Sequence, residues 1–152
     1  MFALGPWRRA PVPGAGIRAT ITVMADASEA TYDELTTQDE VEAIMREGGG
    51  AVIIDFWSET CGPCRAMAGD FAHVAQQFER DEVRFCKVNT GTHGHLAAPF
   101  KVRSIPTLLY IHDGRILDAT VGRVNARQLG EKAEWLLKKS RRKPGLLSRL
   151  FG

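Results

Sequence analysis

Two cysteines separated by two residues, Cys61-Gly62-Pro63-Cys64, are the part of this sequence with the clearest chemistry. At that spacing a small disulfide closes and reopens with little rearrangement. Pro63 suits the first turn of a helix, where its missing N–H is one the helix leaves unpaired in any case. A thiol at such a start lies beside free backbone N–H groups and the positive end of the helix dipole, which stabilise its thiolate. Cys61 is then expected to stay accessible and attack a partner's disulfide. Cys64 turns inward and resolves the mixed disulfide.

The same pair is also half of a four-ligand zinc site, which needs two further ligands. The one remaining cysteine is Cys86, and His93 or His95 would have to complete the set. Cys86 alternates with Lys87 in a strand-like run, where an inert buried cysteine is the common case. His73 and His112 have no partner visible in the sequence. The dithiol reading is therefore preferred, with no metal expected.

The elements that must position the pair are legible on both sides of it. Ala30 to Leu35 reads as a short strand. Thr37-Gln38-Asp39-Glu40 has the form of a capping box, followed by Val41, Ile44 and Met45 at helical spacing and the stop Gly48-Gly49-Gly50. Ala51 to Trp57 (AVIIDFW) is an apolar run with one carboxylate, the pattern of a strand buried on both faces. Met67, Phe71, Val74, Ala75 and Phe78 continue the helix after Pro63. Val83 to Val88 is the next strand, and the alternation implies a parallel pairing through a right-handed crossover. A short helix is expected near His95 to Phe100. Asp113-Gly114 between Thr107–His112 and Arg115–Val121 is a strong hairpin signal. Asn125 caps a last helix carrying Leu129, Ala133, Leu136 and Leu137. These elements make an α/β domain, a central mixed sheet flanked by helices.

With these elements in place, residues 30–139 resemble thioredoxin. The resemblance rests on VIIDFW, CGPCR at 61–65, Lys87-Val88-Asn89, SIPTLL at 104–109, the Asp-Gly turn and Val121-Gly122. It implies the thioredoxin fold and thiol–disulfide exchange, with Cys61 as nucleophile and Cys64 as resolving cysteine. Asp55 matches the family's buried carboxylate, which assists proton transfer at the resolving cysteine. Burial in an apolar strand is expected to raise its pKa towards neutrality. Lys87 matches the basic residue able to interact with that carboxylate, although a surface lysine ending a strand is the plainer reading. Pro106 matches a cis-proline beside the disulfide, and Trp57 a packing aromatic near the site. Thr60, Gly62, Pro63, Ile105 and Gly122 fall at substrate-binding positions. Two positions depart from the family. Thr60 stands where a Trp usually precedes the first cysteine, which exchanges apolar area for a hydroxyl. Gly91 replaces a common Asp.

Charge is distributed unevenly. Residues 1–25 contribute +3 and residues 138–152 contribute +6, neither with an acid, so the stretch 26–137 stands at −7. A nucleic-acid reader carries its basic charge on the folded body, so this distribution argues against that class. The Gly-, Pro- and Ala-rich residues 1–29 read as an unstructured or targeting extension. Pro11, Pro13 and Arg18 interrupt the apolar region a secretory signal needs, whereas an organellar transit peptide or a plain extension fits. Residues 140–152 read as a basic amphipathic tail, with a solvated tail favoured over membrane contact.

The expected function is a monomeric thiol–disulfide oxidoreductase that reduces protein disulfides in the cytoplasm. Organellar or exported placement follows if residues 1–27 are a targeting segment. No cofactor is expected beyond the Cys61–Cys64 disulfide, and a separate reductase would supply electrons. The alternative is a thioredoxin-fold binding module with incidental redox activity.

Overall fold

A computed structural model describes residues 31–46 and 48–142. The expected extension over 1–29 and most of the basic tail lie outside the described residues. Five strands form one mixed sheet in the order β1-β3-β2-β4-β5. The strands are β1 (Asp33–Glu34), β2 (Ala51–Trp57), β3 (Arg84–Asn89), β4 (Thr107–His112) and β5 (Arg115–Val121). The helices are α1 (Gln38–Ile44), α2 (Gly62–Ala75) and α3 (Ala126–Arg141), with two 3-10 turns at Gly94–Leu96 and Ala98–Phe100.

The central strand is β2. It pairs in parallel with β3 and antiparallel with β4, and six of its seven residues are buried, as an uninterrupted apolar run requires. Alternate side chains therefore feed two separate cores. Ala51 and Ile53 point to a cluster closed by Met67, Phe71 and Val74 of α2 and by Leu129, Ala133 and Leu136 of α3. Val52, Ile54 and Phe56 point to the opposite cluster, closed by Val41 and Ile44 of α1 and by Leu96 and Ala97.

Local chemistry sets the element ends. Thr37 accepts from the backbone N–H of Glu40, and the Glu40 carboxylate accepts from the backbone of Thr37, which closes the expected capping box. Asn125 and Gln128 close a second box at α3. In the hairpin, Asp113 and Gly114 both have positive φ, 49° and 74°, as a type I′ turn demands. A Cβ on Gly114 would also meet the Met45 carbonyl oxygen at 2.3 Å, so no side chain fits there.

Three expectations are adjusted. The strand expected over 30–35 shrinks to Asp33–Glu34, where the Asp33 carboxylate is held sideways by Arg80 and Arg84. The strand expected over 83–88 runs one residue later. The single short helix expected near 95–100 is two 3-10 turns, the second ending at Lys101 in a left-handed conformation.

Candidate active site

Cys61 is the N-cap of α2, and Pro63 lies in the first turn, so the dithiol is built at the helix start that the sequence required. Cys61 and Cys64 are joined by a disulfide, with their Cα atoms 5.3 Å apart. The backbone N–H of Cys64 donates to Cys61 Sγ at 3.2 Å. That contact caps an orphan donor of the helix and would favour negative charge on this sulfur. The two cysteines differ in access. Cys61 is partly exposed, while Cys64 is only 1% exposed.

Across from the disulfide, the Ile105–Pro106 peptide bond is cis. The Ile105 carbonyl oxygen lies 3.8 Å from Cys61 Sγ. Gly122 donates its N–H to the Pro106 carbonyl at 2.8 Å, and its φ of 98° is one that glycine adopts without strain. These contacts draw Cys61, Ile105, Pro106 and Gly122 into one rim from three distant segments. Thr60 is exposed beside it, its hydroxyl 3.3 Å from that of the buried Ser58. Gly62 and Pro63 are exposed at the helix start.

Asp55 and Lys87 are register partners on adjacent strands and share the sheet face covered by α2. Both are buried, Asp55 at 0% and Lys87 at 4% exposure, so the plain reading of Lys87 as a surface residue is corrected. Its neighbours Cys86 and Val88 fill the other face, and Lys87 must enter this one. Lys87 Nζ lies 3.2 Å from Asp55 Oδ2, a charge contact in which neither carboxylate oxygen gains a well-directed hydrogen bond. Burial raises the Asp55 pKa to about 6, and the Lys87 charge holds it from rising further. The ammonium is itself enclosed by three rings, at 4.8 Å from the centroid of Trp57, 5.1 Å from Phe71 and 5.5 Å from Tyr32. Cation–π attraction keeps the charge tolerable in this dry setting. Sequence reasoning missed the part that Tyr32 and Phe71 play here, since only the fold brings positions 32, 57, 71 and 87 together.

Cys86 belongs to the opposite core and is fully buried, its thiol pushed up to about 12 by desolvation. Such a sulfur is protonated and enclosed, which separates it from the pair at the start of α2. Among the described residues no three His, Cys, Asp or Glu side chains converge to hold a metal ion.

A five-stranded mixed sheet with a dithiol at a helix N-cap facing a cis-proline defines a thioredoxin-fold redox domain. The family model described as Thioredoxin matches residues 33–134. Thioredoxin 1 of Synechococcus elongatus is 35% identical over 104 residues, covering 68% of this chain and 88% of that protein. The chloroplastic M-type thioredoxin of Pisum sativum is 29% identical over 117 residues, covering 77% of this chain and 62% of that protein. Among solved structures, thioredoxin from Trypanosoma brucei brucei aligns with a TM-score of 0.64 at 21% identity, over 76% of this chain and 99% of that one. The chain belongs to the thioredoxin family, and it is a thiol–disulfide oxidoreductase acting on protein disulfides.

Proposed function

We propose that the chain works as a reductase in which Cys61 attacks and Cys64 resolves. The observation that carries this reading is the asymmetry of the pair: Cys61 is the partly exposed N-cap sulfur with an N–H aimed at it, and Cys64 is buried. In the reduced chain the Cys61 thiolate attacks one sulfur of a substrate disulfide. A Cys61–substrate disulfide forms and the other substrate sulfur leaves as a thiolate. Cys64 then gives its proton to the Asp55 carboxylate and attacks Cys61 Sγ, which re-forms the 61–64 disulfide and releases the second substrate thiolate. Two electrons pass to the substrate. With a pKa of about 6, Asp55 is ionised at neutral pH and is a stronger base than an ordinary carboxylate, which makes that proton transfer less uphill.

Lys87 tunes Asp55 through its charge. Thr60, Gly62, Pro63, Ile105, Pro106 and Gly122 form the surface on which the substrate backbone lies. A separate reductase restores the dithiol, and no cofactor takes part beyond it. Reduction in a reducing compartment fits the Gly-Pro spacer, which resembles the reducing members of the superfamily. The cytoplasm is the proposed location, with an organelle as the alternative that the chloroplastic relative supports. The working domain is 30–139, flanked by an N-terminal extension and a basic tail, and it acts as a monomer.

Trapping tests the assignment of roles. Mixed with a disulfide-bearing protein, Cys64→Ser should accumulate a covalent adduct through Cys61, visible by mass. Cys61→Ser should form none. An adduct on Cys64 in the second variant, at a rate matching the first, would reverse the two roles.

A further inference from the structure

The segments that frame the disulfide carry a charge opposite to that of the body around them. Residues 58–66, 90–106 and 120–124 hold four cations, Arg65, Lys101, Arg103 and Arg123, against one acid, Glu59. With His93 and His95 neutral, these segments stand at +3 and the remainder of 26–137 at −10. All four cations are exposed, and none has an ion-pair partner among the described residues. Elsewhere Arg80, Arg127, Lys132 and Arg141 are each neutralised by a carboxylate. Arg46, Arg115, Lys138, Lys139 and Arg142 are also without a carboxylate partner among the described residues, but they lie outside these segments, so the four named cations are the ones a substrate approaching the disulfide would meet.

Two of the four sit at the rim itself. Arg103 lines a cavity of about 280 Å³ together with Thr90, Ala97, Val102, Ser104 and Ile105. That is several times the roughly 30 Å³ share of one water, so the cavity admits a side chain. Ile105 joins it directly to the sulfur, since its carbonyl faces Cys61 Sγ at 3.8 Å. Arg123 follows Gly122, which is bonded to Pro106 on the other side. Thr60 supplies little apolar area for recognition, which leaves a larger share to charge. The acidic remainder of the body repels a long polyanion, so the patch suits a short acidic segment.

We infer that this face selects disulfides flanked by acidic residues, with a substrate carboxylate entering the cavity to pair with Arg103 and a second meeting Arg123. The inference rests on the proposed reading of Cys61 as the attacking thiol. Complementary charge of this kind acts mainly on the encounter rate and is screened by salt.

The test is single-turnover oxidation of the reduced full chain, whose two thiols become the 61–64 disulfide as each substrate disulfide becomes two thiols. Three substrates are compared: a peptide disulfide flanked by Glu, the same peptide flanked by Lys, and a small neutral cyclic disulfide. At low salt the Glu peptide should react about tenfold faster than the Lys peptide, and 0.5 M NaCl should bring the ratio below about threefold. R103E/R123E should invert the preference, and R103Q alone should weaken it. R115E, the same charge change at the far end of β5, should leave it unaltered. Equal rates for the two peptides alongside normal reaction of the neutral disulfide would overturn this inference alone. If R115E lowered the ratio as far as R103E/R123E, net charge would replace these two arginines as the cause. Failure with all three substrates would overturn the reading of Cys61 itself.

Discussion

The two faces of the sheet are made from alternate residues of the same strands, and they have been built for different ends. Towards α1, β2 offers Val52, Ile54 and Phe56, and β3 offers Cys86 and Val88, all buried with no charge among them. Towards α2, the same two strands place Asp55 and Lys87 in an otherwise apolar core. Removing both charges from water costs several kcal/mol per ion, returned only in part by their attraction. The fold accepts this cost only on the face that carries the redox helix. The cysteines follow the same division, since the exchanging pair begins α2 and the inert thiol sits on the other side. One face is apolar throughout, and the other carries a buried charge pair on the side of the redox helix.

Substitutions that respect this division should separate stability from titration. Phe56→Ala, on the apolar face against Phe100, should cost about 3–5 kcal/mol by chemical denaturation and leave the pH dependence of stability intact. A changed pH dependence would mean the faces are coupled. Asp55→Asn should do the reverse. The native state binds this proton more tightly than the unfolded chain, with a pKa of about 6 against 3.8. Stability from Asp55 is therefore complete below pH 4 and lost as pH rises through 6, an effect of about 3 kcal/mol. The substitution should remove that slope. Asp33, Glu40 and Asp118 have lowered pKa values, so they act in the opposite sense and at lower pH. A slope between pH 4 and 6 that persists in Asp55→Asn would assign it to another group.

Smaller effects sharpen the comparison. Lys87→Met keeps the stem among the three rings and removes the charge, so the Asp55 pKa should rise above its present value by about one unit or more. The carboxyl carbon shift of Asp55 in an NMR titration reads this directly, and an unmoved midpoint would show that Lys87 does not tune it. Thr37→Ala breaks only the α1 capping box and should cost about 1 kcal/mol, with exchange activity unchanged.

Much of this was legible in the sequence, for reasons that are local. The run AVIIDFW, the Asp-Gly turn, the Thr37 capping box and the Asn125 cap encode their structures within a few residues, and each stands where it is expected, with Gln128 completing a second box at Asn125. The dithiol was legible for the same reason, because the N-cap geometry follows from Cys61 and Pro63 alone. Strand β1 is shorter than its sequence suggests, and the partners of its Asp33, Arg80 and Arg84, lie far along the chain. Lys87 was the largest gap. Its period-two neighbours Cys86 and Val88 were the available signal that it points into the other core, but its enclosure by Tyr32, Trp57 and Phe71 is a product of the fold. The proposed cationic rim is not legible for the same reason, since the segments that carry Arg103 and Arg123 meet at Pro106 only when the sheet is assembled.

The central claim is that redox chemistry belongs to the pair at the start of α2 and to no other sulfur. A redox titration of the purified chain in thiol–disulfide buffers, trapped by alkylation and mapped by peptide mass, tests it most directly. The account predicts that Cys61 and Cys64 interconvert together at a reducing poise while Cys86 stays unpaired throughout. A chain that forms no 61–64 disulfide at any poise, or one in which Cys86 pairs, would contradict it.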